Sequence, residues 1–131
     1  MKKYIGIKVV NAEPMTLTEA QQVLGRELNP ATLEEDGYLV EYKDGYKSWS
    51  PKSVFEEAYK PSDTILDRLK IERYELRERI EKLEDLIGLD FSEAKEKVGH
   101  YQAALLLIQR GYMVNYLDVL QTRIDLMEEK K

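Results

Sequence analysis

Gln109, Tyr116 and Arg123 recur seven residues apart in the last third of the chain. They interleave with Leu106, Met113 and Leu120 at three- and four-residue steps, so one helix would carry both sets on neighbouring lines. Two readings are open. Polar groups set into an apolar seam fix the register of an oligomer, as they do in coiled coils. Alternatively, Tyr116 and Arg123 face a ligand held between helices: a guanidinium grips phosphate through its bidentate fork, and a phenol ring stacks on a base. Upstream, Arg68, Lys70, Arg73, Arg77 and Arg79 alternate with Glu72, Glu75, Glu78 and Glu81. That spacing suits ion pairs along a solvated helix face. Arg68 lies nearest the change in sequence character at residues 60–62 and stays available for a phosphate contact.

Catalytic chemistry has little to work with. His100 is the only histidine and there is no cysteine. Cysteine nucleophiles, thiolate metal sites, disulfides and two-histidine metal sites are therefore excluded. A general base needs an adjacent nucleophile and an orienting partner, and the sequence sets none beside His100. Neither a phosphate loop of the G-x-x-x-x-G-K type nor a G-x-G-x-x-G turn is present. Glu34-Glu35-Asp36 reads as a solvated charge run in a loop. Tyr38, Tyr42, Tyr46 and Trp49 read as the core of a small sheet or as a stacking platform. The expectation is a protein that binds without catalysing, with no metal and no cofactor.

The elements that must position these residues change in type near Lys60-Pro61-Ser62. Before that point, Tyr4–Val10 is apolar and β-branched and reads as a strand. Thr16-Leu17-Thr18-Glu19 has capping-box spacing and opens a short helix that Gly25 ends. Residues 26–36 form a polar loop. Gly37–Tyr42 and Tyr46–Trp49 read as strands joined through Asp44-Gly45 as a two-residue type I′ turn. Ser50 and Pro51 then start a helix to Tyr59. After the boundary, Ser62 or Asp63 caps a helix to about Ile87, and Gly88-Leu89-Asp90-Phe91 turns the chain. Ser92 starts a second helix that runs unbroken to about Met127. The fold class expected is α+β: a small β-hairpin-containing domain over 1–60, then a long antiparallel helical hairpin over 61–131. Val98, Leu105, Tyr112, Val119 and Leu126 form one apolar stripe on the second helix, and Leu106, Met113, Leu120 and Met127 a second, about 100° away. One antiparallel neighbour covers about one stripe, so the hairpin is expected to self-associate through the other.

Composition narrows the partners. The formal net charge of −5 opposes binding to duplex nucleic acid, which needs many phosphate-neutralising cations. A local pair of arginines still suffices for one small anion. No run of 18 apolar residues and no secretory signal pattern is present, so neither a membrane span nor export is expected. The lack of cysteine fits a reducing cytoplasm.

Two stretches carry a family resemblance. Tyr4-Ile5-Gly6-Ile7-Lys8, Ala12-Glu13-Pro14-Met15, Gly37–Val40 and the Ser48–Tyr59 segment are similar to a module recurring in small bacteriophage proteins. Asp67-Arg68-Leu69-Lys70-Ile71-Glu72, with Tyr116-Leu117 … Arg123-Ile124, resembles the hairpin of phage sponges that act against Thoeris and CBASS defence. The resemblance implies a protein of the infected host's cytoplasm that sequesters cyclic nucleotide immune signals without cleaving them. Cyclic ADP-ribose isomers, and in some members cyclic di- or trinucleotides, are the implied ligands. It also implies a dimer or hexamer built through the hairpins, with ligands at subunit interfaces. Carried over by position, Arg68, Phe91 and Arg123 become ligand contacts, beside Gln109 and Tyr116 from the spacing. Tyr101 or Gln102 stands where a polar residue is expected early in the second helix. The competing reading is an acidic phage protein that blocks a host protein through its hairpin. A third, an enzyme degrading the same messengers, lacks the residues it would need.

Overall fold

The computed structural model describes residues 1–30, 33–88 and 90–129. The chain forms two units, Met1–Lys60 and Pro61–Lys131. The fold is α+β, as expected from the sequence: a three-stranded antiparallel sheet with short helices, then long helices.

In the first unit, β1 (Asn11–Pro14) pairs with β2 (Gly37–Glu41), and β2 with β3 (Lys47–Pro51), in the order β1-β2-β3. Leu39 sits opposite Trp49 and both are buried. The Trp49 indole N–H donates to the Met15 carbonyl at 2.8 Å, which satisfies the one polar atom that ring buries. Gly37 is required beside it, because a Cβ there would run into the indole and the Ser50 carbonyl. Helix α1 (Leu17–Leu24) follows the expected cap, with Thr16 Oγ1 accepting from the Glu19 N–H, and stops at Gly25 with φ +69°. Helix α2 (Lys52–Ala58) brings Phe55 onto Tyr38, with ring centroids 4.3 Å apart.

Three expectations for this unit are corrected. Tyr4–Val10 is not a strand of this sheet. The ladder begins at Asn11 opposite Glu41, after which β2 turns away, so the earlier residues have no neighbour to pair with. The hairpin does not turn on two residues. Tyr42 N–H donates to the Tyr46 carbonyl, and Gly45 alone takes positive φ, giving a three-residue loop with glycine in the left-handed position. A type I′ turn would need positive φ at Asp44 as well. Nor is Glu34-Glu35 merely solvated. Glu35 accepts from the Thr18 N–H and hydroxyl, and Glu34 from the Ser53 N–H and hydroxyl. One acidic loop thus caps the first turns of α1 and α2, where Ser50 was expected to cap α2.

In the second unit, α3 (Ile65–Ile87) and α5 (His100–Glu129) lie antiparallel, with Lys70 beside Glu128 at 3.3 Å and Glu84 beside Arg110 at 2.9 Å. Thr64, rather than Ser62 or Asp63, caps α3, closing a reciprocal box with Asp67. Gly88 ends it at φ +73°. Asp90, rather than Ser92, caps α4 (Phe91–Val98). The expected turn residue Leu89 lies outside the described residues. The second helix is broken: Gly99 at φ +87° separates α4 from α5. Leu69, Leu76 and Ile80 close on Leu120 and Ile124 at the open end, while Leu83, Ile87, Ala94 and Ala103 close on one another at the turn end. Among the described residues, no helix is long and apolar enough to cross a membrane.

Candidate functional site

Helix α5 presents three longitudinal lines of side chains. Leu106, Met113, Leu120 and Met127 lie on the side packed in the hairpin core. Leu105, Tyr112, Val119 and Leu126 are exposed, at 57%, 72%, 57% and 53% of their full surface. Gln109, Tyr116 and Arg123 run between these two lines, because each is four residues past an exposed apolar residue and three past a buried one. At about 100° per residue, this column sits roughly 40° from the exposed line and roughly 60° from the buried one. All three are exposed. Gln109 makes only a weak 3.8 Å contact to the Met113 sulfur, and Arg123 has no ion-pair or hydrogen-bond partner among the described residues.

Some cations of the hairpin are engaged. Arg73 and Arg77 both donate to Gln121 Oε1 at 3.1 Å, Lys70 pairs with Glu128, and Arg110 pairs with Glu84. Arg68, in the first turn of α3, is exposed and has no side-chain partner among the described residues. The antiparallel arrangement puts Arg68 and Arg123 toward the same, open end of the hairpin. Neither guanidinium has an ion-pair partner among the described residues, as is also true of Arg79, Lys82, Lys95 and Lys97.

Phe91 belongs to the other end. It packs on the turn-end cluster with Val98 and Leu106, and its ring meets His100 edge-on at 5.6 Å. His100 in turn meets Tyr101 at the same separation. The break at Gly99 makes this aromatic trio, and its participants were not read as a group from the sequence: the local signal was a glycine directly before the histidine. A cleft of about 710 Å³ adjoins Phe91, Gly88 and Arg110, but Glu84, Asp85 and Asp90 on its walls make it unwelcoming to an anion by itself. Among the described residues, no three acidic or histidine side chains gather to hold a metal.

The five residues singled out from sequence are therefore strung along one hairpin, Phe91 and Gln109 toward the turn end, Tyr116 midway, and Arg68 and Arg123 toward the open end. Phe91 lies at the level of Leu106, roughly 25 Å along the axis from Arg123 at 1.5 Å per residue. No nucleotide of ordinary size spans that distance inside one chain.

No curated protein and no solved structure matches the chain. A family model described as Sequestin matches residues 63–126, which is nearly all of the second unit and includes Arg68, Phe91, Gln109, Tyr116 and Arg123. This match bears out the sponge-family resemblance on that half of the chain.

Proposed function

We propose that this protein is a phage sponge that sequesters a cyclic nucleotide immune signal, a cyclic ADP-ribose isomer or a cyclic di- or trinucleotide, without cleaving it. The observation that carries the reading is the Gln109–Tyr116–Arg123 column on the border of an uncovered apolar stripe. A second copy laid antiparallel on that stripe would bury Leu105, Tyr112, Val119 and Leu126 and turn the column into the wall of a groove. Its turn end would then approach the open end of the first copy. Phe91 and His100 of one subunit would supply aromatic surface, and Arg68 and Arg123 of the other the anion contacts. The separation within a single chain, roughly 25 Å, is what such a shared site needs explained. The family name, which speaks of sequestration, favours binding over turnover.

Thermal unfolding of the intact protein with a panel of these cyclic nucleotides tests the proposal. At ligand one hundred times above Kd, the stabilisation expected is about 2.7 kcal/mol. A panel without any shift would remove it. The same uncovered stripe favours one other reading, an acidic phage protein that docks on a host protein. A stable host complex formed with no nucleotide present would favour that one.

A further inference from the structure

Residues 4–10 make no backbone hydrogen bond among the described residues, yet they are a run of strand-forming residues, with the Lys8 ammonium 5.3 Å from the Tyr42 ring centroid. Ile5, Ile7 and Val9 expose 92%, 94% and 80% of their surface. By two-residue alternation they lie on the side of the sheet that carries buried Leu39 and Trp49. The segment leads directly into β1, whose outer edge has no partner in the order β1-β2-β3. Such an edge, with an apolar extension and unpaired amides, is a template for another strand.

We propose that this segment is an intermolecular strand, pairing antiparallel with the same segment of a second copy about a two-fold axis at Ile7. The register is self-complementary. Ile5 faces the partner's Val9 and Ile7 faces its own equivalent, so the apolar side chains share one face. Lys8 falls opposite Gly6, where nothing lies within 4 Å of a Cβ position and the long side chain is not crowded. Lys3 stands opposite Asn11 and diagonal to Glu13 on the same face, which adds charge complementarity within reach of a lysine. Glu13 is exposed and has no ion-pair partner among the described residues. Pro14 then ends the free edge, since it has no N–H to give. The result is a six-stranded sheet through two copies, formed without the helical unit and without ligand.

The lack of cysteine makes the test direct. Ile7→Cys in the full chain carries a single thiol at the two-fold, with Cα atoms about 5 Å apart, inside disulfide range. Tyr4→Cys places its thiols six residues apart along the strand, roughly 20 Å, outside that range. Mild oxidation of Ile7→Cys is expected to give a covalent dimer in most of the protein, at least tenfold more than Tyr4→Cys gives. Equal cross-linking by the two variants would mean proximity without this register, and no cross-linking by Ile7→Cys would mean no pairing; either overturns the proposal. Amide exchange of residues 4–10 in the unmodified protein should slow as concentration rises, and fast exchange at every concentration would overturn it as well. None of these readouts depends on the nucleotide, so the sponge reading stands or falls separately.

Discussion

Arg123 and Arg68 have no side-chain partner among the described residues, a state they share with Arg79, Lys82, Lys95 and Lys97. Arg73 and Arg77 share the Gln121 carbonyl oxygen, and Arg110 is held by Glu84. Removing an exposed, unpaired guanidinium costs the fold little, on the order of 0.5 kcal/mol or less. Removing a charge-assisted phosphate contact costs about 1.5–3 kcal/mol of binding, a factor of roughly 10 to 100. Arg123→Ala should therefore weaken nucleotide binding by about that factor in a titration while the helical melting curve stays in place. Unchanged affinity for every nucleotide in the panel would assign Arg123 to oligomer register instead. The place of Arg123 on a column beside the packed leucine line was legible from sequence, because seven-residue spacing fixes it on one side of a helix. Its distance from Phe91 was not legible, since spacing along a helix says nothing about which end of the hairpin meets a second copy. The aromatic trio of Phe91, His100 and Tyr101 was hidden for another reason: it depends on the positive φ of Gly99, and a lone glycine in a helical pattern is usually tolerated.

At the scale of elements, caps decide more than propensity. The Thr16 cap and the Gly25 and Gly88 stops were readable because their partners are three or four residues away. The caps from Glu34 and Glu35 were not, because their partners Ser53 and Thr18 are 19 and 17 residues distant. Hydrogen bonds from Ser53 hold the Glu34 carboxyl below the usual carboxylate range, and those from Thr18 do the same for Glu35. Carboxylates favoured in the folded state stabilise it above their unfolded pKa, and that contribution is lost as pH falls through the folded value. The first unit, whose only tryptophan is Trp49, should thus lose stability on acidification below about pH 4.5, read as a falling urea midpoint of tryptophan fluorescence. Glu34→Gln with Glu35→Gln should flatten that dependence; an unchanged acid slope would mean the two caps do not contribute. In the second unit the two stripes of α5 predict opposite outcomes. Leu120 is 1% exposed within the cluster of Leu69, Leu76, Ile80 and Ile124, so Leu120→Ala should cost about 2–5 kcal/mol in helix unfolding. Leu105→Ala, on the uncovered line, should leave the dilute melt nearly unchanged and weaken self-association in sedimentation. Equal effects of the two on the melt would contradict the division of the stripes. The two stripes themselves were visible in the heptad pattern; which one α3 covers was not, because both are equally apolar.

For the whole molecule, two uncovered surfaces of different kinds stand out: the Leu105–Leu126 line of α5, and the extended segment before β1. From the sequence, the presence of two stripes calls for self-association through one of them, and the segment before β1 reads as a strand within the sheet. The segment does have strand character, but β2 ends too soon to serve it. The two surfaces belong to separate units, and on the proposed reading each would offer its own contact to a further copy. A sponge gains from this, since every added subunit interface adds capacity without adding chemistry. The net charge of −5 would work against a small anion at long range, so the proposed binding would have to rest on short-range contacts such as those proposed for Arg68 and Arg123.

The claim that the protein holds a messenger and does not transform it is tested most directly by capture and release. Purified protein is incubated with cyclic ADP-ribose isomers and cyclic di- and trinucleotides, freed of unbound material, heat-denatured, and the supernatant weighed by mass spectrometry. Recovery of one nucleotide at unchanged mass, in fixed ratio to protein, is the result predicted. Depletion with altered mass would contradict it by revealing turnover, and no depletion would contradict it by leaving a protein partner as the target.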